Sequence, residues 1–188
     1  EQVKLGPGVT PLQDQQIKGV LTEFRDLFTG KPGRTDLIQH NKATEVGKVV
    51  RLRPYRIPEA RREVVEKEVD ELIEGLGKAA FLSTLDLTKG YWQIPLAPDA
   101  REKTTFSTPS GLYHFKVLPV RLHGAPAIFQ RLMDHIFRPH SVYATAYLDD
   151  IVIYSPSWES HLKHLESVFQ SIRATGLTIN PENCVVTT

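Results

Sequence analysis

The stretch 146–155, AYLDDIVIYS, sets two adjacent carboxylates, Asp149 and Asp150, between two short apolar runs. Apolar runs of that length around a polar pair read as a β-hairpin with the acids at its tip. An Asp-Asp pair alone is ordinarily a solvated turn, because Asp favours turns in its own right. Here both flanking strands read as fully buried, which would hold the turn rigidly. A third acid occupies a comparable place: in FLSTLDLTKGYWQI, Asp86 closes an apolar run and is followed by a turn carrying Lys89 and Gly90. Three carboxylates at neighbouring strand ends suit hard divalent cations, since Mg²⁺ takes carboxylate oxygens and substrate phosphates in preference to an all-protein cage. Two such ions about 4 Å apart can activate an attacking hydroxyl and stabilise a leaving pyrophosphate.

The elements that must position these acids follow from periodicity. AFLSTLDL, YWQIPL, TTFST, GLYHFKVLP, VYATAYL and DIVIYS are short β-branched or aromatic runs bounded by turn residues, and each reads as a strand. GAPAIFQRLMDHIF reads as an amphipathic helix with Pro126 in its first turn, where proline is tolerated. WESHLKHLESVFQSIRATG reads as a second, ended by Gly176. Upstream, Val64, Val65, Val69, Leu72, Ile73 and Leu76 share one face of a helix expected over 59–76, with Gly75 and Gly77 as its stop. Residues 1–58 are rich in Gly and Pro; one helix fits inside them, through Leu12, Ile17, Val20, Leu21, Phe24, Leu27 and Phe28, and residues 30–58 read as extended. The order β-β-β-β-α-β-β-α-β predicts an α+β fold, a sheet with helices on one face.

Composition bounds the function. With 40% hydrophobic and 24% charged residues over 188 positions, the chain can bury a core. No run approaches the roughly 18 apolar residues of a membrane span, and EQVKLGPGVT has no signal pattern. The sole methionine is Met133, as expected of a piece of a longer chain. Cys184 stands alone, which excludes a disulfide framework and a CxxC zinc site and fits a reducing, intracellular setting, cytoplasmic or nuclear. Between Lys31 and Arg62, nine Lys/Arg face three Asp/Glu, either a phosphate-attracting segment or a solvated positive loop. His161 and His164 are expected on the exposed face of their helix, without a ligand role, and Trp92, alternating with Tyr91, is expected inside. A Gly-rich phosphate loop, a Ser-His-Asp order and a dinucleotide fingerprint are all absent from the sequence.

LDLTKGYWQIPL, LPVRLHGAPAIFQRLMD, AYLDDIVIYS and GLTINPENC, in this order, resemble the motifs of reverse transcriptases, and more narrowly those of gypsy-type LTR retrotransposons. RPYRIPEARREVVEKEV is similar to that family's entry into its fingers subdomain. The resemblance implies a reverse-transcriptase palm over 59–188 with truncated fingers, preceded by an N-terminal extension over 1–58. It implies RNA-directed DNA polymerase activity with Mg²⁺, or Mn²⁺, as cofactor, a dNTP and an RNA or DNA template-primer as partners, and no membrane. Position by position it assigns Asp86, Asp149 and Asp150 as the catalytic, metal-binding acids. Leu87 and the backbone at Lys89 and Gly90 would line the metal and triphosphate site. Tyr91 would close against the sugar 2′ position, although core packing is the other reading for it. Gln130 would lie in the segment under template and nucleotide.

Three departures from the family pattern stand out. EKEV runs straight into DELIEGL, where the family carries further fingers strands with triphosphate-gripping basic side chains. Val120 and Arg121 replace an aromatic or Gln followed by Gly, and Asn183 replaces a Lys before Cys184 that could act as a general acid. The thumb, connection and ribonuclease H parts of such a polyprotein would follow Thr188. These departures raise a second reading: an impaired retroelement remnant that binds nucleic acid or only folds. A generic RNA-binding module ranks last, because it would expose aromatics on strands that here read as apolar on both sides.

Overall fold

The computed structural model describes residues 3–39, 73–120, 122 and 124–187. The expected basic segment beyond residue 39, most of the helix over 59–76, and Arg121 lie outside them; residues 73–77, its described end, are helical. Among the described residues seven strands occur in chain order: β1 (Lys4–Leu5), β2 (Phe81–Asp86), β3 (Phe106–Thr108), β4 (Gly111–Tyr113), β5 (Ala144–Tyr147), β6 (Asp150–Ser155) and β7 (Val185–Val186). The main sheet runs β1-β7-β2-β6-β5, and β3-β4 forms a separate hairpin. The β2–β6 pairing is antiparallel from Phe81↔Ser155 to Asp86↔Asp150.

Side chains alternate across a strand, so this register sorts the two faces. Ser83, Leu85, Ile151, Ile153 and Ser155 fall on one face, all of them buried. Leu82, Thr84, Asp86, Asp150, Val152 and Tyr154 fall on the other, where Tyr154 alone of the six is buried. The buried face meets the helices; the acids open on the opposite side.

Among the described residues two long helices supply that cover and a third rests on one of them, and each begins with local chemistry. At α1 (Pro11–Glu23) the Thr10 hydroxyl accepts from the Gln13 amide while the Gln13 side chain returns to the Thr10 N–H, a capping box with Pro11 in the first turn. At α2 (Ala125–Phe137) Gly124 takes φ +88° ahead of Pro126, and the helix buries Ile128, Phe129, Leu132, Met133, Ile136 and Phe137. At α3 (Trp158–Ala174) Ser157 caps the start, and Gly176, at φ +74°, ends it in the left-handed region that glycine tolerates. Phe24 of the N-terminal segment packs on Phe169 of α3 with ring centroids 5.5 Å apart, so both ends of the chain share one core. Among the described residues no helix is long and apolar enough to cross a membrane.

Two expectations fail here. YWQIPL is not a strand: Lys89 turns left-handed at φ 49°, and Gly90–Gln93 coil into a 3₁₀ turn. Trp92 therefore points outward, 43% exposed, beneath the Lys89 ammonium at 5.1 Å. The histidines are not surface residues either. His161 is fully buried, with Nε2 bonded to the Ser83 hydroxyl at 2.7 Å and Nδ1 to Ser155 at 2.9 Å. His164 bonds Ser155 at 2.7 Å and stacks on Tyr143 at 3.7 Å. The half-polar ladder Ser83–Ser155 needs partners from α3, and the histidines provide them.

Candidate active site

Asp86 ends β2 and Asp150 begins β6, and the two are register partners on the open face. Only Leu148 and Asp149 form the hairpin turn, so Asp150 belongs to its strand and not, as expected, to the tip. Of the flanking strands, β6 is largely buried while β5 is only partly so, with Tyr147 73% exposed. Rigidity comes from polar ties instead. The Leu87 amide donates to the Asp149 carbonyl at 3.0 Å, and the Asn180 amide donates to the Asp86 carbonyl at 2.8 Å. Leu148 sits at φ 54°, a left-handed conformation that costs a non-glycine residue roughly 1 kcal/mol.

The Asp149 carboxylate turns inward. Its Oδ1 is buried without a hydrogen-bond partner, the one such atom among the described residues. It faces Gly90, where an added Cβ would overlap both that oxygen and the Phe129 ring. Gly90 is thus a cradle that only a missing side chain leaves open. Burial, then the neighbouring charges of Asp86 and Asp150, push the Asp149 carboxyl up to about 6. An orphaned carboxylate oxygen beside two more acids is the hard, anionic donor set that fits a divalent cation. Among the described residues no group of three such side chains is placed to hold an ion by itself.

Around the acids, Tyr91 is buried and leans on Phe129 at 5.0 Å between ring centroids. Burial, with Asp149 and Tyr147 nearby, raises its phenol. Leu87 is buried, its amide committed to Asp149, while Lys89 stays exposed over Trp92. Gln130 approaches the hairpin from α2, accepting from the Leu148 amide at 2.9 Å and donating to the Ala146 carbonyl at 3.0 Å. So Asp86, Asp149, Asp150, Leu87, Gly90 and Tyr91 converge, Lys89 lies at the rim, and Gln130 stands behind the turn.

A contact of Asn183, already singled out in the sequence, and one residue unnoticed there, Gln93, complete the surroundings. Asn183 donates to the Asp86 carboxylate at 3.4 Å, so the site's Lys-to-Asn departure touches the acid itself. Gln93 is buried and binds Thr88, Thr178 and Gly33 through both ends of its amide, tying the loop after β2 to the N- and C-terminal segments. A polar side chain between Tyr91 and Ile94 was the available signal.

A sheet antiparallel but for its β1–β7 edge, with helices on one face and acids at the strand ends of the other, is a polymerase palm-like fold. The chain belongs to the reverse transcriptase (RNA-dependent DNA polymerase) family, whose model matches residues 37–188. It is 39% identical over 117 residues to the retrovirus-related Pol polyprotein from transposon 297 of Drosophila melanogaster, covering 62% of this chain and 11% of that one. To the putative enzymatic polyprotein of Cassava vein mosaic virus it is 32% identical over 172 residues, covering 89% of this chain and 26% of the relative. The chain thus spans 11% and 26% of the two polyproteins. Among solved structures, the foamy viral protease-reverse transcriptase in complex with RNA/DNA hybrid matches with a TM-score of 0.74 at 18% identity, covering 95% of this chain and 32% of the other. That likeness concerns the fold.

Proposed function

We propose that this chain is the polymerase module of a retroelement polyprotein, an RNA-directed DNA polymerase joining a dNTP to a primer 3′ hydroxyl. The observation that carries the reading is the inward, unpartnered Asp149 carboxylate between Asp86 and Asp150. Asp86, Asp149 and Asp150 would hold Mg²⁺, or Mn²⁺. When bound, such ions supply Lewis-acid activation of the hydroxyl and charge neutralisation on the phosphates. The chain's own part is positional. Gly90 leaves room for the Asp149 carboxylate beside the Phe129 ring, and the Leu87–Asp149 tie keeps the turn against β2. The backbone at Lys89 and Gly90 would line the triphosphate. Tyr91, braced by Phe129, would sit against the sugar and favour deoxynucleotides. An RNA or DNA template-primer is the expected partner, inside a cell.

Within the family we read the chain as gypsy-type, with a palm over 59–188, shortened fingers, and the extension 1–58 before it. One observation favours the weaker-enzyme reading: Asn183, which cannot donate a proton to departing pyrophosphate, occupies the place beside Asp86. Primer extension on an RNA template, with Mg²⁺ and separately Mn²⁺, tests both readings against an Asp149→Asn/Asp150→Asn double variant. Extension by the unaltered chain alone supports the polymerase. Folded protein that binds Mn²⁺ without extending supports the remnant.

A further inference from the structure

The Gln130 amide has three polar positions facing the protein, and all three are used. Oε1 accepts from the Leu148 N–H at 2.9 Å; Nε2 donates to the Ala146 carbonyl at 3.0 Å and to Asp134 Oδ1 at 2.8 Å. The orientation is unique, since the flipped amide would set its oxygen against a carbonyl and a carboxylate and its NH₂ against an N–H. Leu148 is the left-handed residue of the turn, and the carbonyl of the next residue, Asp149, receives the Leu87 amide. The links therefore run in series from α2 through Gln130, Leu148 and Asp149 to Leu87, one residue beyond Asp86.

We infer that Gln130 is a positioning residue, an amide clasp that holds the strained Leu148 turn and thereby aims Asp149, and that it is not a template or nucleotide contact. The helix, not the partly exposed strand β5, fixes the hairpin. The arrangement explains how a leucine persists at positive φ: its N–H has a partner there that the turn alone does not supply. The catalytic consequence rests on the polymerase reading; the clasp itself does not.

The test compares the full chain with Gln130→Met, which keeps the length and removes the hydrogen bonds, and with Gln130→Glu, which keeps the acceptor and loses both donors. Amide hydrogen exchange by NMR should show Leu148 exchanging about tenfold or more faster in Gln130→Met, with Leu132 in the same helix unchanged. Mn²⁺ affinity, read by electron paramagnetic resonance, should weaken by about the tenfold that a disturbed supporting ligand shell gives. In primer extension, kcat should fall while the dNTP KM stays within about threefold, because only the aim of the acid has changed. Gln130→Glu should fall between the two, as the Leu148 N–H keeps its acceptor. Unchanged Leu148 exchange in Gln130→Met overturns the clasp. A raised dNTP KM with unchanged kcat and Mn²⁺ affinity also overturns it, in favour of a substrate contact. If the unaltered chain never extends a primer while Leu148 exchange responds as expected, the polymerase reading fails and the clasp stands.

Discussion

Replacing Asp149 by Asn should make the protein more stable at neutral pH, and the gain should vanish in acid. The Asp149 carboxyl lies at about 6 in the fold against an ordinary value of 3.8, so the folded state holds its proton more tightly than the unfolded chain. That preference stabilises the fold fully below about 3.8 and is lost as pH rises through 6. Two units of separation correspond to about 3 kcal/mol, which residual solvent access at this half-buried group reduces to about 2 kcal/mol. At pH 7.5 the unaltered protein carries the whole cost of the buried charge and the Asn variant none, a difference of roughly 5 °C in Tm for a chain of this size. His161 works the other way over nearly the same window. Burial holds its imidazole at about 4 against 6.5, so its contribution is present above 6.5 and lost as pH falls through 4. His140 and His164 are shifted downward too, chiefly by burial. In the unaltered chain the two trends oppose each other and stability should vary little between pH 4.5 and 7. Asp149→Asn leaves the histidine trend alone, and that variant should lose stability steeply on acidification. Thermal melts by circular dichroism from pH 4.5 to 7.5, with a chelator to remove divalent ions, read both curves. A Tm difference that is zero at pH 7.5, or that is the same at every pH, refutes the electrostatic account of the site.

Two further substitutions probe the walls. Gly90→Ala should push the Asp149 carboxylate out of its cradle against the Phe129 ring, at a cost of about 1 kcal/mol read as a lower Tm. Mn²⁺ affinity should fall with it; a variant that melts and binds like the unaltered chain would mean the cradle is not tight. Tyr91→Val, with its smaller side chain, should raise ribonucleotide incorporation relative to deoxynucleotide by about tenfold in single-nucleotide extension, whereas Tyr91→Phe should leave the ratio unchanged. Equal ratios in all three proteins would leave Tyr91 only its packing on Phe129.

Much of this arrangement is legible in the residues. The acids were placed at strand ends by the apolar runs around them, and α2 and α3 by stripes, caps and Gly176. What escaped had physical causes. The left-handed Lys89 has no compositional marker, so the Tyr91–Trp92 alternation read as a strand and Trp92 as interior. His161 lies on the buried stripe with Leu165, Val168 and Ile172, but its polarity argued for the surface until Ser83 and Ser155 appeared as its partners. The tie from Gln130 to Leu148 was not legible either, because a hydrogen bond across 18 residues has no local signature.

The strand order carries a consequence for synthesis. Asp86 stands on β2, whose two neighbours are β6 and β7, and β7 alone carries β1. The loop after Asp86 is pinned by Asn180 and Thr178, and α1 rests on α3. The acids meet through the β2–β6 pairing, but the other edge of β2 closes only when β7, the last strand, inserts between it and β1. Such non-local closure is slow and leaves β2 with one open edge while it waits. The sheet around the acids is thus complete only once residues 185–186 have been translated, well after the acids themselves.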